Sequence, residues 1–398
     1  MDSSSFSLYA DSGIFENVIT FFQEMITFLQ EILRIESYTY SESALAARVV
    51  QEMQQLGFDA AWTDQTGNAL GLVRGRERGA ATMLLTHLDH IATGDLALWK
   101  YPPFAGVLEN SVLHGRGAVD IKGPLAAHIY TLGAMLRVGK RPKHDCLVAI
   151  PVQEETGGYG MAKLLERLPI VTPLGDLELG ACLVGEPSHN QIMLGHRGVC
   201  RCTLRFHGRA HHASLGLWQE NPHFVYAEFL RRLERIPLFE HPILGRSSIS
   251  PTVLSTDTSS NNLTPNTITL TLDWRTVTET GSDVRNTLGE LTKNLPISYD
   301  SFDDWTSGVG GIKHPGFVTE PQHPLVVELH QTRDKHLGAS ETGIWQFATD
   351  GRWAHKVGIP CVGFGPGNQL FAHTTEEQIG VSELEQHVLV LQDFLLDW

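Results

Sequence analysis

Cysteine is scarce in this sequence, and its scarcity excludes a fold that is held together by disulfide bonds. The chain has five cysteines among 398 residues, and an odd number cannot all pair within one chain. They stand in or beside apolar runs, and none belongs to a spacing of paired cysteines or histidines that is typical of a zinc finger. We therefore expect reduced thiols in the core at all five positions, which are Cys146, Cys182, Cys200, Cys202 and Cys361.

Basic residues are also in the minority. The sequence has 30 Lys and Arg against 45 Asp and Glu, and its formal net charge is −15. Nucleic acids and anionic membrane surfaces are bound through clusters of positive charge, and no basic cluster stands out here. We therefore predict that neither nucleic acid nor a membrane is a partner.

Pure apolar runs of membrane-spanning length are missing as well. The main apolar stretch, residues 15–35, is interrupted by Glu16, Glu24 and Glu31. A bilayer core tolerates such charges poorly, whereas an amphipathic helix needs a polar face. The first residues carry no positive charge ahead of an apolar segment, so we expect no signal peptide. The sequence predicts a cytoplasmic protein.

What is present is an alternation of helix-like and strand-like runs over the first 190 residues or so. Helical patterns cover residues 43–56, 124–138 and 161–168, and apolar strand-like runs cover residues 81–86, 145–152 and 181–184. Such an alternation is typical of an α/β fold with a mixed, mostly parallel sheet that is flanked by helices. At this length two domains are more common than one.

The pattern changes near residue 198. Strand-like runs at 199–207, 249–256, 267–277 and 297–302 are interspersed with helical patterns at 222–236 and from 282 onwards. This order is β-α-β-β-α-β, which is typical of a ferredoxin-like α+β domain. The α/β pattern returns after residue 310 or so. We therefore predict a catalytic domain of residues 1–196 and 308–398, with an inserted domain of residues 197–307 and hinges near 196 and 308.

Acidic and imidazole side chains follow several strands of the larger predicted domain. In open α/β sheets, ligand sites form at the carboxyl ends of the strands. A histidine and an aspartate two residues apart on an extended chain share a face, so the aspartate can orient the imidazole of a metal ligand. The candidates are His87 and Asp89, Asp120 among glycines, the pair Glu154–Glu155, Glu186, and His373.

Each of these signals has an ordinary structural reading when it is taken alone. His87 is compatible with a satisfied polar residue at a strand end, and Asp120 with a turn before a helix. Glu186 is compatible with an exposed turn residue, and Glu154–Glu155 with a solvated loop pair. Adjacent carboxylates directly after a buried strand are nevertheless costly unless a cation accompanies them. The set as a whole therefore predicts a cation site.

In this order, the motifs closely resemble the zinc metallopeptidase family of acetylornithine deacetylase, succinyl-diaminopimelate desuccinylase, aminoacylase and glutamate carboxypeptidase. The resemblance covers nearly the whole chain. It implies one metal site with His87 and Glu186, a second with Glu155 and His373, and Asp120 as a bridge between them. It also implies two divalent metal ions. Zn²⁺ is the first choice for this ligand set, with Co²⁺ or Mn²⁺ as alternatives.

The resemblance also assigns roles around the metals and in the inserted domain. Glu154 matches the family's general base, and Asp89 its support for the metal-binding histidine. In the segment 208–214, alignment on the following alanine selects His212 as the histidine that reaches a substrate carbonyl across a dimer. Asn262 and Arg275 match substrate-binding positions. Without the family, His212 is part of an ordinary histidine pair on a loop, and Arg275 is a surface arginine.

The function that we expect is metal-dependent hydrolysis of an amide bond in an N-acyl amino acid by a homodimer, with the inserted domain as lid and dimerisation surface. A dipeptidase or carboxypeptidase on the same scaffold is the near alternative, because it uses the same metals. A non-catalytic metal- or ligand-binding relative is a remote one, and paired carboxylates also occur in phosphatases and sugar hydrolases. Phe347 stands where the family has glycine, so we expect a reshaped substrate pocket.

Overall fold

The computed structural model describes residues 12–302 and 314–398 of the chain. Its α-helices, in chain order, are α1 (Ser12–Leu33), α2 (Ser43–Gln55), α3 (Gly123–Arg137), α4 (Tyr159–Leu164), α5 (Pro222–Leu233), α6 (Gly281–Thr292), α7 (Pro324–Leu337), α8 (Gly351–Lys356) and α9 (Val381–Asp397).

The strands of the first half are β1 (Ala60–Thr63), β2 (Ala69–Val73), β3 (Ala81–Leu85), β4 (Val107–Glu109), β5 (Val112–His114), β6 (Cys146–Ile150), β7 (Ile170–Thr172), β8 (Gly175–Leu177), β9 (Leu179–Val184) and β10 (Met193–His196). Those of the second half are β11 (Gly198–His207), β12 (Glu240–His241), β13 (Gly245–Arg246), β14 (Ser248–Thr256), β15 (Thr267–Thr276), β16 (Ile297–Phe302), β17 (Phe317–Val318), β18 (Gly343–Trp345), β19 (Cys361–Gly363) and β20 (Gln378–Gly380).

The chain divides into two compact units. Of the described residues, the large unit comprises 12–195, 319–345 and 349–398, and the small unit comprises 196–302, 314–318 and 346–348. The boundary and hinge expected near residues 307 and 308 lie outside the described residues. Within the part of the chain that the structure describes, no helix is long and apolar enough to cross a membrane.

The large unit is built on a mixed sheet whose strands include, in order, β1-β2-β6-β3-β9-β19-β10. The four central neighbours β6, β3, β9 and β19 are parallel, whereas β1, β2 and β10 pair antiparallel. Strands β2, β3 and β6 are buried at every residue, because α/β sheets are covered on both faces. The predicted α/β class is confirmed.

Two long helices of the large unit follow from their apolar patterns. Helix α1 buries Phe21, Met25, Phe28 and Ile32, which recur at the three- and four-residue spacing of one helix face. Helix α3 is apolar almost all round and is buried along most of its length. It begins with Pro124 in the first turn, where a missing N–H breaks no helical hydrogen bond.

The small unit has the element order β11-α5-β14-β15-α6-β16, apart from the short ribbon β12-β13. Its four-stranded sheet has the order β14-β15-β11-β16, and all its pairs are antiparallel. This is the ferredoxin-like arrangement. Strand β15 alternates strictly, so that Ile268, Leu270, Leu272 and Trp274 face the core and the threonines between them do not.

Two local expectations differ from the structure. The helix predicted at 161–168 is Tyr159–Leu164, and it ends ahead of Pro169 because the residue before a proline disfavours helical backbone. The hairpin β1-β2 was not predicted, since its second strand is short and carries Gly71 at its centre, and glycine inside a strand weakens the strand signal. Its turn is held by Asp64, whose carboxylate accepts the N–H groups of Thr66, Gly67 and Asn68.

Candidate metal centre

The candidate site lies at one edge of the large unit's sheet. Because β3, β6, β9 and β19 are parallel neighbours, their carboxyl ends meet at the same edge. Each of these strands is followed by acidic or imidazole side chains. They are His87 after β3, Glu154 and Glu155 after β6, Glu186 after β9, and His373 in the segment that follows β19.

Two imidazoles and three carboxylates form a pair of clusters that share one aspartate. Nε2 of His87 lies 3.2 Å from Oδ1 of Asp120 and 3.5 Å from Oε1 of Glu186. Nε2 of His373 lies 3.2 Å from Oδ2 of Asp120 and 3.1 Å from Oε1 of Glu155. The two oxygens of Asp120 therefore face different histidines, and a carboxylate placed in this way can bridge two cations.

Asp120 is held at a turn that leads into α3. The segment Ala118–Lys122 forms a π-type turn that is buried throughout, and it starts after Gly117, whose φ of 85° is left-handed. The side-chain atom Oδ1 of Asp120 is shielded from solvent and has no hydrogen-bond partner. Such an orphaned acceptor is costly in a protein interior, and a cation at this point would satisfy it.

Asp89 contacts His87 through both its backbone and its side chain. Nδ1 of His87 lies 2.9 Å from the backbone carbonyl oxygen of Asp89 and 3.5 Å from its carboxylate. The backbone carbonyl is thus the nearer acceptor for this imidazole, and the carboxylate beside the ring is also engaged by other donors. It accepts the N–H groups of Glu154 at 3.0 Å and Glu155 at 3.2 Å, and the hydroxyl of Thr39 at 2.8 Å.

This arrangement fixes both the ligand atom of His87 and the turn after β6. A backbone carbonyl only accepts hydrogen bonds, so Nδ1 of His87 carries the proton and Nε2 presents its lone pair to Asp120 and Glu186. Asp89 meanwhile anchors two adjacent N–H groups, one of the predicted base and one of a predicted ligand.

Glu154 is positioned as a shielded carboxylate. Its Oε1 is out of contact with solvent and has no hydrogen-bond partner. Burial is the main reason that the pKa of Glu154 lies well above its usual range, and the nearby carboxylate of Asp350 raises it further. The preceding residue, Gln153, has a left-handed φ of 59°, and such strain in a non-glycine residue is typical of functional turns.

The carboxylates of the two clusters lie close enough together to shift the pKa values of their neighbours. The carboxylates of Asp120 and Glu155 raise the pKa of His373 to about 10. Burial, and then the charge of Asp120, raise the pKa of both Glu155 and Glu186. Burial alone would also raise the pKa of Asp120, but the imidazoles of His373 and His87 outweigh it and hold that pKa below its usual range. Protons or cations must therefore balance the carboxylates.

The donor set fits divalent metal ions. Ligand atoms of His87, Asp120 and Glu155 all lie within 4.8 Å of one another. Imidazole nitrogen together with carboxylate oxygen suits Zn²⁺ and other borderline cations. His373, which would complete the second ligand set, has a left-handed φ of 64°. Metal ligands and other functional residues are where such backbone conformations concentrate.

A family model described as Peptidase family M20/M25/M40 matches residues 83–397 of the chain. The chain belongs to this family. The resemblance inferred from the motifs is therefore confirmed, and the protein is a hydrolase of this peptidase family.

Solved structures with the same fold include other members of this peptidase family. The aminopeptidase PepT from Bacillus cereus is similar with a TM-score of 0.76 and 16% identity, over 94% of this chain and 98% of that one. Human carnosine dipeptidase 1 has a TM-score of 0.69 and 14% identity, over 96% and 98%. A dinuclear metal-binding peptidase from Bacillus subtilis has a TM-score of 0.68 and 12% identity, over 95% and 98%.

In this family member, the predicted histidine of the inserted segment lies in the small unit and is ready to donate a hydrogen bond. The backbone N–H of Ser214 donates to Nδ1 of His212 at 3.2 Å. The neutral ring therefore carries its proton on Nε2. His211 differs, because its Nε2 lies 3.1 Å from the carbonyl oxygen of Leu217. These contacts favour His212 over His211 as a donor to a ligand.

The other two predicted substrate residues also lie in the small unit. The backbone carbonyl of Asn262 accepts the N–H of Ala213 at 2.9 Å, which brings Asn262 to the loop of His212. Arg275 stands on β15, and Asp273 binds the Nε edge of its guanidinium at 2.7 Å. That contact orients the arginine on the sheet face opposite the core.

Sequence reasoning missed two buried ion pairs of the large unit in this family member. Arg116 pairs with Glu377 at 2.5 Å, and Arg352 pairs with Asp350 at 3.3 Å. Glu377 had a usable signal, since it belongs to an adjacent pair of carboxylates just after His373, as Glu155 does after β6. No sequence pattern predicts that Arg116, which stands 261 positions earlier, is the partner of Glu377.

Proposed function

We propose that the protein hydrolyses the amide bond of an N-acyl amino acid with two divalent cations, preferably Zn²⁺. One cation would be held by His87, Asp120 and Glu186, and the other by Asp120, Glu155 and His373. The observation that carries this proposal is the placement of the two Asp120 oxygens, each 3.2 Å from a different imidazole. No single-metal arrangement needs a carboxylate that faces two histidines in this way.

When bound, the cations would polarise the substrate carbonyl and lower the pKa of water from about 15.7 towards about 7. Glu154 is the group that we expect to take the proton from the attacking water and return it to the leaving nitrogen. Its raised pKa, which results first from burial, suits a carboxylate that must hold a proton in mid-reaction. Asp89 keeps this turn in place through the N–H groups of Glu154 and Glu155.

His212 is proposed to donate its Nε2 proton to the carbonyl oxygen as negative charge develops there. By resemblance to the family, it would do so from the partner subunit of a homodimer. Strand β14 is an edge strand of the small unit's sheet, and it leaves Val253 61% exposed. An exposed edge is a ready site for strand pairing with a second copy.

Arg275 and Asn262 are proposed to bind the amino-acid part of the substrate. Because Asp273 engages the Nε edge of Arg275, the terminal edge of the guanidinium is the one that a substrate carboxylate would meet. A planar guanidinium binds a carboxylate through two parallel hydrogen bonds.

A dipeptide is the second candidate substrate. It is favoured by the similarity of the fold to an aminopeptidase and a carnosine dipeptidase. Both substrates present an amide bond next to a free carboxylate, and they differ in whether a free amino group lies on the acyl side. Because Phe347 takes the position of a family glycine, we expect its larger side chain to influence which of the two acyl groups the pocket accepts.

A substrate panel with metal analysis on the same preparation tests the proposal. The panel contains N-acetyl and N-succinyl amino acids, dipeptides and a chromogenic phosphate ester. We expect turnover of N-acyl amino acids that is lost after chelation and restored by Zn²⁺, Co²⁺ or Mn²⁺. Turnover of dipeptides alone would select the second candidate, and hydrolysis of the phosphate ester without amide turnover would overturn amide hydrolysis itself.

A further inference from the structure

A buried carboxylate behind the metal centre holds the backbone of its bridging residue. Oε1 of Glu377 accepts the N–H groups of Val119 at 3.2 Å and of Asp120 at 3.1 Å. Its other oxygen, Oε2, accepts Nη1 of Arg116 at 2.5 Å. Glu377 is only 1% exposed, so its carboxylate is held by donors of the protein and not by solvent.

The same residue joins the two segments that carry Asp120 and His373. Strand β20 pairs with β5 directly before the Asp120 turn, and the carbonyl of Glu377 accepts the N–H of Gly115 at 3.1 Å. Glu377 itself stands four positions after His373. The distance between these two predicted ligands is thus set by a short, hydrogen-bonded connection whose centre is Glu377.

A role limited to balancing the charge of Arg116 does not account for this geometry. Arg116 is also buried, and its guanidinium lies 5.1 Å from the ring centre of Trp99. A carboxylate that served only as its counter-ion would not need to accept two successive backbone N–H groups with the oxygen that points away from it. The arrangement instead resembles the outer groups that orient metal ligands in proteins.

We propose that Glu377 is a positioning residue that, together with Arg116, fixes Asp120 in its bridging orientation and so sets the affinity for the pair of cations. This inference rests on the proposed function, since it requires that Asp120 binds metal. Glu377 is not a catalytic residue, because its contacts run to the chain around Asp120. Its effect is transmitted through the backbone of Val119 and Asp120.

The test is a titration of folded, metal-free protein with Zn²⁺, in which binding is measured by calorimetry or with a competing indicator dye. Glu377→Gln keeps the size of the side chain but replaces one carboxylate oxygen by an NH₂ group, which donates hydrogen bonds. That group would face either the guanidinium of Arg116 or the N–H groups of Val119 and Asp120, and neither can accept a hydrogen bond. We expect its affinity for at least one of the two Zn²⁺ ions to fall roughly 10- to 100-fold. Glu376→Gln is the matched control, because it removes the same charge from the adjacent exposed residue, and we expect wild-type affinities for it.

Two neutral pairs keep the inference testable if the single variant does not fold around an unpaired Arg116. Arg116→Gln/Glu377→Gln retains an oxygen for the two N–H groups, whereas Arg116→Leu/Glu377→Leu retains none. We expect the glutamine pair to bind Zn²⁺ at least tenfold more tightly than the leucine pair. Equal affinities in the two pairs, or wild-type affinities in Glu377→Gln, would overturn the positioning role. Wild-type protein that binds no metal would instead overturn the proposed function.

Discussion

Replacing the predicted general base by its amide, Glu154→Gln, separates chemistry from metal binding. Glutamine has nearly the same shape as glutamate but cannot accept a proton from water. Among the described residues, the ion pairs of His87 and His373 run to Asp120, Glu155, Glu186 and Asp89, not to Glu154. We therefore expect the variant to bind both cations with wild-type stoichiometry.

The expected loss of turnover follows from the proton transfer alone. General base catalysis contributes about 100- to 10,000-fold, which corresponds to about 3–5 kcal/mol of transition-state stabilisation. Stability should not fall, because Oε1 of Glu154 has no hydrogen-bond partner to lose. The amide also removes a charge that burial and Asp350 disfavour.

The assay measures kcat, metal content and melting temperature on one preparation of each variant. Glu155→Gln, at the next position, is the comparison variant: we expect it to lose affinity for the cation near His373, because Glu155 lies 3.1 Å from that imidazole. A Glu154→Gln protein that holds two cations and turns over substrate at close to the wild-type rate would refute the reasoning.

Three further predictions follow from the same contacts. His212→Ala should lower kcat by about 100- to 1000-fold with little change in metal content, as for loss of one oxyanion donor, whereas His211→Ala should have a much smaller effect; equal losses would contradict the choice of His212. Arg275→Met should raise KM by about tenfold or more, since hydrogen bonds to charged groups contribute about 1.5–3 kcal/mol, and an unchanged KM would remove its substrate role. Protein from which a chelator has removed the metal should lose stability between about pH 6.5 and pH 10. The reason is that Asp120 and Glu155 raise the pKa of His373 to about 10 from an ordinary value near 6.5. Protonated His373 therefore stabilises the fold at low pH, and this contribution disappears as the pH rises through 10. Thermal unfolding of chelated His373→Ala should show a weaker decline over that range.

Much of the fold was predictable because the sequence pattern of each element is local. The apolar runs that became β3, β6 and β9 are short, buried and bounded by polar residues, and β15 alternates over its whole length. Such signals can be read from residues that are close together in the sequence. The hairpin β1-β2 was missed because Gly71 stands at the centre of its second strand, and glycine inside a strand weakens the strand signal.

The site was predictable as a set of residues but not as a set of contacts. The order of acids and histidines after strands identified the ligand candidates, since parallel strands bring their carboxyl ends together. The partner of an individual side chain depends on three-dimensional detail. The carboxylate of Asp89 turned out to bind the N–H groups of Glu154 and Glu155, with the backbone carbonyl nearer to His87.

Metal stoichiometry of purified, folded protein tests the central claim most directly. Elemental analysis after equilibration with Zn²⁺ should find two ions per chain in the wild type. Asp120→Asn should reduce the affinity for both ions, because each oxygen of Asp120 faces one of the two histidines. A folded wild-type protein that takes up no divalent cation, or an Asp120→Asn variant that binds two ions as tightly as the wild type, would contradict the shared-aspartate centre.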